Sequence, residues 1–175
     1  MTQFNYPTTI LFGEGALNEA AQRVKAKGCR RALIVTDPTL VQLGIAGRVE
    51  KVFSDVGLIC KVFDEVQPNP IEEDVEKGAA AYLKNECDSV IAVGGGSAMD
   101  AAKVILLAAT HDEALAVYDD AKGGDKKIKP LPPLFAIPTT AGTGSETTGV
   151  AIFDYTALHA KTGIAHRALR PVMGI

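Results

Sequence analysis

Short apolar runs alternate with longer stretches of helical periodicity, and this alternation constrains the fold of the 175-residue chain more than any other feature. The runs typical of buried strands are residues 31–36, 58–63, 89–93 and 134–137. The helical patterns lie near residues 15–27, 39–56, 71–85 and 98–109. Strands that alternate with helices predict a parallel sheet with helices on both faces. The sequence therefore predicts an α/β fold of the Rossmann-like type.

Polar residues before prolines support two of these helix starts. Asp37-Pro38 and Asn69-Pro70 each predict a capping side chain followed by proline at the first helical position. Three other segments have different expectations, namely a charged surface loop over 119–133, a β-hairpin over 148–154 and 158–165, and an edge strand within 3–12. The chain closes on RPVMGI, which resembles the start of a strand, so we expect it to derive from a longer protein.

Composition narrows the function classes. The formal net charge is −3, which argues against nucleic acid as a partner. The sequence has no apolar run of the roughly 18 residues that a membrane span needs, and MTQFNYPTTI lacks the features of a signal peptide. Cys29, Cys60 and Cys87 are odd in number and far apart, which favours reduced, buried thiols. We therefore expect a cytoplasmic protein.

Three glycines stand where the strand 89–93 passes into the helix 98–109. A glycine-rich loop before a helix exposes backbone N–H groups to a phosphate, so Gly94, Gly95 and Gly96 are candidate pyrophosphate contacts and Ser97 adds a hydroxyl. A tight turn is the alternative, because Ser97 and Asp100 also match a capping box. The sequence contains no GxxxxGK[ST], GxGxxG or GxSxG motif.

Two further signals follow other predicted strands. Asp37 ends the run RALIVTD, where a carboxylate can hold the hydroxyls of an adenine ribose and repel a 2′-phosphate, unless it only caps a helix. It precedes the glycines, whereas the usual dinucleotide fingerprint has its acid after them. The segment PTTAGTGSE follows the strand LFAI, and its hydroxyls predict contacts to ribose or phosphate oxygens. These hydroxyls belong to Thr139, Thr140, Thr143 and Ser145.

The segments FGEGAL, GGGSAMDAAK, PTTAGTGSE and KTGIAHRALRP together resemble the iron-containing (group III) alcohol dehydrogenase family, from about Thr8 to the last residue. The resemblance implies a dinucleotide-binding α/β domain over residues 1–175, ending near a domain boundary. The family's helical metal-binding domain is expected to be absent from this chain. The resemblance also implies hydride transfer between NAD and an alcohol, aldehyde or ketone.

The resemblance implies a role for individual residues. It implies that Gly95, Gly96 and Ser97 contact the pyrophosphate and that Asp100 lies near the nicotinamide. Thr139, Thr140 and Thr143 then lie along the cofactor, with Ser145 beside them. It further implies that Lys161 lies near the ribose, that Asp37 marks a preference for NAD, and that Asn69 lies on the adenosine side. From the residues alone, Lys161 also fits a solvated strand lysine and Asn69 a helix cap.

The family's Fe²⁺ or Zn²⁺ is expected only in a full-length enzyme, because its ligands belong to the helical domain. His111, His159 and His166 show no ligand spacing, so structural or surface roles are expected for them. His166-Arg167 stands where many relatives have Ser-Pro.

This chain alone is expected to be nearly inactive and to form a homo-oligomer. The alternatives are a non-catalytic dinucleotide-binding fragment and a relative of glycerol dehydrogenase or dehydroquinate synthase, although PTTAGTGSE argues against the latter.

Overall fold

A six-stranded, fully parallel sheet forms the centre of the protein, seen in a computed structural model that describes residues 8–155 and 160–175, without the side chains of residues 160–162. Its strands are β1 (Thr9–Ile10), β2 (Arg31–Val35), β3 (Ile59–Phe63), β4 (Ser89–Gly94), β5 (Leu134–Pro138) and, near the end of the chain, Met173–Gly174, called β8 below. A separate antiparallel hairpin consists of β6 (Val150–Tyr155) and β7 (Ala160–Ala165). The helices are α1 (Ala16–Ala26), α2 (Pro38–Gln42), α3 (Ile45–Asp55), α4 (Glu72–Lys84) and α5 (Gly96–Thr110).

Both faces of the sheet are covered, as the continuous apolar runs predict for parallel strands. Along β4, Ile91 and Val93 belong to one core with α1 and α3, whereas Val90 and Ala92 belong to the other with α4, α5 and the hairpin. This two-residue alternation places β4 between two apolar layers, and every residue of β4 is buried. The predicted α/β Rossmann-like fold with a hairpin is confirmed.

The strand order creates a crevice in the sheet. The strands lie in the order β1-β8-β5-β4-β2-β3, so the chain passes from β2 outward to β3 and then returns to place β4 on the other side of β2. The connections from β2 and from β4 therefore diverge at the carboxyl ends of these neighbouring strands. Ligands of open α/β sheets bind at such a switch point.

The prediction of one helix over 39–56 is wrong in one respect, because the structure has two helices there, α2 and α3. Gly44 has a φ of 74°, in the left-handed region that glycine adopts without strain. Its N–H donates to the carbonyl of Val41, which ends the first helix before α3 begins. The periodicity of apolar residues continues through the break and hides it.

The ends of the chain meet at one side of the sheet. Of the edge strand predicted within 3–12, Thr9 and Ile10 pair with β8, and residues 3–7 lie outside the described residues. The terminal segment forms a strand as predicted, since β8 lies between β1 and β5. The segment 119–133 contains short 3-10 turns, and Ile128 is buried there, so it is only partly a surface loop. Among the described residues, no helix is long and apolar enough to cross a membrane.

Candidate functional site

A cleft of about 390 Å³ opens at the switch point between β2 and β4, and we call it the first cleft. Three chain segments meet there, after β2, β4 and β5, and the segment after β3 closes one side. The lining residues are Asp37, Pro38, Thr39, Leu40, Val66, Gln67, Pro68, Gly95, Gly96, Ser97, Ala98, Thr139 and Thr140. The topology thus brings together residues that lie about one hundred positions apart in the sequence.

The glycine loop, residues 94–96, forms the floor of this cleft. Gly94 has a φ of 149°, and a Cβ added there would lie 2.7 Å from the Cβ of Ala98, so the position requires glycine. Helix α5 begins at Gly96, and no side-chain hydrogen bond caps its N-terminus. The N–H groups of a helical first turn have no partner within the helix, which leaves them available to an anion.

The predicted capping box of Ser97 and Asp100 is wrong. Ser97 is the second residue of α5, where it follows the cap position, and its Oγ accepts a hydrogen bond of 3.4 Å from the N–H of Asn69. The carboxylate of Asp100 makes other bonds, which are described below. The segment therefore has no capping box, and the N–H groups at the start of α5 are left available to a ligand.

Asp37 both caps a helix and faces the first cleft. Its Oδ1 accepts a hydrogen bond of 3.1 Å from the N–H of Leu40, and Pro38 occupies the first turn of α2, as predicted. Its Oδ2 is directed toward the glycine loop, 3.7 Å from where a Cβ on Gly94 would lie. One carboxylate oxygen therefore holds the helix and the other remains at the cleft.

The threonine segment, residues 138–146, lies directly against the glycine loop. The N–H of Thr139 donates to the carbonyl of Gly94 at 3.0 Å. A Cβ added to Gly95 would lie 2.9 Å from Oγ1 of Thr140, and one added to Gly96 would lie 2.8 Å from Cγ2 of Thr143. The structure therefore places the two motifs in one shared crevice, and the glycines permit this close approach.

A second, smaller cleft of about 190 Å³ adjoins the first, and the two share Gly96 and Ser97. Its other lining residues are Asn69, Pro70, Asp100, Thr143, Ile152, Phe153 and Asp154. The hairpin reaches this cleft because the N–H of Asp154 donates to the carbonyl of Pro70 at 2.8 Å. We call this the second cleft.

Asn69 is not the helix cap that its position before Pro70 predicts. Its φ is 62°, and α4 begins three residues later, at Glu72. Asp74 supplies the side-chain contact at this helix start, where its Oδ2 accepts a hydrogen bond of 3.2 Å from the N–H of Ile71. Asn69 instead lies in the wall of the second cleft.

A network of hydrogen bonds holds Asp100 in place. The Oγ of Ser145 donates to Oδ1 of Asp100 at 2.5 Å, and the N–H of Ile152 donates to Oδ2 at 3.1 Å. Lys103 completes the network, since its Nζ lies 2.6 Å from the Oγ of Ser145 and 3.3 Å from Oδ1 of Asp100. Ser145 is only 4% exposed, so it lies beneath the clefts rather than on their surface.

Sequence reasoning missed Lys103, and a signal for it was present. Lys103 is a charged residue inside the otherwise apolar helix AAKVILL, three positions after Asp100. Burial lowers the pKa of Lys103, whereas the nearby Asp100 carboxylate opposes that change.

The remaining candidates are Lys161 and the three histidines. Lys161 pairs in register with Asp154 in the hairpin, but its side chain lies outside the described residues, as does the whole of His159. His111 accepts a hydrogen bond at Nε2 from the N–H of Lys129, and His166 accepts one at Nδ1 from the N–H of Ala168. Over residues 8–155 and 160–175, no group of three or more His, Cys, Asp and Glu side chains is arranged to hold a metal ion.

Comparison with known proteins is consistent with this geometry. The family model described as iron-containing alcohol dehydrogenase matches residues 7–175. The chain belongs to the iron-containing alcohol dehydrogenase family. It is therefore related to oxidoreductases, and the Rossmann-like domain described above is the part of that family that this chain contains.

Individual members of the iron-containing alcohol dehydrogenase family match the whole of this chain. Alcohol dehydrogenase 4 of Schizosaccharomyces pombe is 39% identical over 100% of the chain and 41% of the relative. The NAD-dependent methanol dehydrogenase of Bacillus methanolicus is 36% identical over 100% of the chain and 45% of the relative. The chain thus spans less than half the length of these curated relatives.

Solved structures show the same fold. A 1,3-propanediol oxidoreductase superposes with a TM-score of 0.90 at 34% identity, covering 99% of this chain and 45% of that one. A sulfoacetaldehyde reductase from Bifidobacterium kashiwanohense, solved in complex with NAD⁺, gives a TM-score of 0.85 at 33% identity, covering 100% of this chain and 46% of that one. These relatives and structures carry the names of alcohol dehydrogenases, oxidoreductases and reductases.

Proposed function

We propose that residues 1–175 form the NAD-binding domain of a metal-requiring alcohol dehydrogenase that moves hydride between NAD and an alcohol or its aldehyde or ketone. The observation that carries the proposal is the shared crevice, in which the glycine loop, the threonine segment and Asp37 meet at the switch point. The NAD-dependent relative and the NAD⁺ complex of another family member support the choice of cofactor.

The first cleft suits the adenosine half of the dinucleotide. We expect the carboxylate of Asp37, whose Oδ2 is not used by the helix cap, to accept hydrogen bonds from the ribose hydroxyls and to repel a 2′-phosphate. Leu40 and Val66 supply apolar surface for the adenine ring. This arrangement favours NAD over NADP.

The shared residues between the clefts suit the pyrophosphate. A Cβ on Gly95 or Gly96 would occupy the space toward Thr140 or Thr143, so the absence of side chains there is what keeps the passage open. The free N–H groups at the start of α5 and the positive end of its dipole favour negative charge. Ser97, Thr139 and Thr140 add hydroxyl donors around the same point.

The second cleft suits the nicotinamide half, with Asp100 and Thr143 in its wall. When bound, the nicotinamide accepts a hydride from an alcohol carbon or returns one to a carbonyl. The residues of this chain bind and orient that group. Because Asn69 lines the second cleft, we propose it as a contact to the ribose of the nicotinamide half, and not on the adenosine side that the resemblance implies. We further propose Lys161 as a ribose contact and Ser145 as a support beneath the threonine segment.

The described residues do not fit the metal that the family description implies, because no suitable group of ligands occurs among them. The Fe²⁺ or Zn²⁺ expected from the resemblance is therefore not assigned to these residues. A second candidate function is a dinucleotide-binding module without dehydrogenase activity of its own. For the whole protein we propose a small alcohol or carbonyl substrate, a homo-oligomeric state and a cytoplasmic location.

Calorimetric titration of the chain with NAD and with NADP tests the proposal. We expect saturable NAD binding at micromolar to millimolar concentrations, and NADP binding weaker by about tenfold or more, since one charge repulsion beside Asp37 is worth ~1.4 kcal/mol. Absence of saturable NAD binding would contradict the proposal. An absorbance assay with NAD, Fe²⁺ or Zn²⁺ and short alcohols separates the two candidates, because robust NADH production by this chain alone would exclude the non-catalytic one.

A further inference from the structure

Lys103 is a fully buried lysine in the middle of α5, flanked by the equally buried Ala102 and Val104. Lysine is almost never fully buried without partners, because removing an ammonium group from water is expensive. Its burial therefore needs an explanation in its contacts.

The three contacts of the Lys103 ammonium come from three different parts of the chain. Nζ lies 2.6 Å from the carbonyl of Val150 in the hairpin and 2.6 Å from the Oγ of Ser145 in the threonine segment. It also lies 3.3 Å from the carboxylate of Asp100 in its own helix. An ammonium group has three donors, so one side chain joins the helix, the threonine segment and the hairpin.

These three parts are also walls of the second cleft. Asp100 lines it directly, and Ile152, which donates to Asp100, lies in its hairpin wall. The N–H of Ser145 donates to Oγ1 of Thr143, the threonine that faces the same cleft. The first cleft, in contrast, is lined by none of the partners of Lys103.

We propose that Lys103 is a positioning residue for the second cleft, and that it fixes Asp100, Thr143 and the hairpin in the geometry that receives the nicotinamide half of NAD. The inference rests on the function proposed above. Without the ammonium, the Val150 carbonyl loses its donor, and the Asp100 carboxylate loses its neighbouring charge. The second cleft then loosens, while the first cleft keeps its own contacts.

Two ligands of different length separate this role from general structural support. AMP fills only the adenosine side, whereas NAD extends over both clefts. In Lys103→Met, which keeps an unbranched apolar side chain and removes the ammonium, we expect NAD affinity to fall about tenfold and AMP affinity to stay within about twofold. Lys84→Met, at an exposed lysine of α4, is the matched control and should change neither affinity.

Each outcome of these titrations decides the inference. Equal weakening of AMP and NAD in Lys103→Met would overturn it, as would unchanged NAD affinity. If circular dichroism shows that Lys103→Met does not fold, Ser145→Ala takes its place, because it removes one partner of the ammonium at small volume change and must show the same selective loss. Failure of the unaltered chain to bind NAD overturns the proposed function itself, whereas unchanged NAD affinity in the variant that folds overturns only the role of Lys103.

Discussion

The first and second clefts are neighbours, yet their walls are held in different ways. The first is formed mainly at strand ends and helix starts, and Asp37 in particular is held by the first turn of its own helix, α2. The second depends on bonds between distant segments, such as those that join Lys103 to Ser145 and Val150. The first cleft therefore needs only the sheet topology and local helix starts, whereas the second also needs side-chain bonds between distant segments.

This difference has an energetic side. A capping side chain such as Asp37 contributes about 1 kcal/mol through contacts within four residues. A buried network contributes through all of its members together, and one missing partner leaves the others unsatisfied. The second cleft should accordingly be more sensitive to single substitutions at residues that it does not expose.

The largest effect is expected at Gly96, which both clefts share. In Gly96→Ala the new Cβ would lie 2.8 Å from Cγ2 of Thr143 and would narrow the passage between the clefts. We expect the narrowed passage to weaken NAD binding by about the 1–3 kcal/mol that overpacking typically costs. NAD affinity should therefore fall about tenfold to a hundredfold in calorimetric titration.

Gly47→Ala is the control for that substitution. Gly47 lies in α3, and a Cβ there would meet nothing within 4 Å. Because alanine favours helix over glycine by up to about 1 kcal/mol, this variant should be as stable as the original chain or more so, with unchanged NAD binding. Equal NAD affinity in both variants would show that the glycine loop is not part of the binding site.

An intermediate effect, confined to the first cleft, is expected at Asp37. Asparagine caps helices as well as aspartate does, so Asp37→Asn keeps the hydrogen bond to Leu40 and removes only the charge. The ratio of NAD to NADP affinity should fall about tenfold, since one ionic hydrogen bond is lost and one repulsion is relieved. Asp37→Gly should act in the same direction. A ratio that does not move in either variant would remove Asp37 as the selector of the cofactor.

The smallest effect is expected from pH, at a site remote from both clefts. Burial lowers the pKa of His111 below its usual 6.5, and its Nε2 accepts a hydrogen bond from the N–H of Lys129. As pH falls below 6.5, the unfolded chain takes up a proton that the folded chain does not, so stability decreases. Urea unfolding of the original chain and of His111→Gln between pH 7 and pH 5 should show a steeper loss in the original. NAD affinity should not differ between the two proteins. Helix α5 begins at Gly96 beside the clefts, and His111 follows its opposite end.

The sequence predicts the first cleft better than the second because its signals are local. The apolar run before Asp37, the proline after it and the glycines after β4 each describe a few consecutive residues, and the structure places them as predicted. The failures are of two kinds. Gly44 interrupts a helix within an unbroken apolar period, and Asn69 precedes a proline without capping a helix. In both cases the backbone adopts a left-handed conformation that the pattern of side chains does not signal.

The second kind of failure concerns partners distant in sequence. Ser97 and Asp100 match a capping box, but the carboxylate of Asp100 instead accepts hydrogen bonds from the nearby hairpin and from Ser145. Nothing within α5 indicates that the hairpin lies against it, so the contacts of Lys103 could not be predicted. The lysine in an apolar helix is a signal that some partner exists, without indicating which one.

The bond between the N–H of Asp154 and the carbonyl of Pro70 joins the hairpin to the segment before α4 through main-chain atoms alone. Substitution of the Asp154 side chain leaves that bond intact, provided that the backbone keeps its path. Position 154 can therefore differ between related chains, and with it the lining of the second cleft, without detaching the hairpin from the domain.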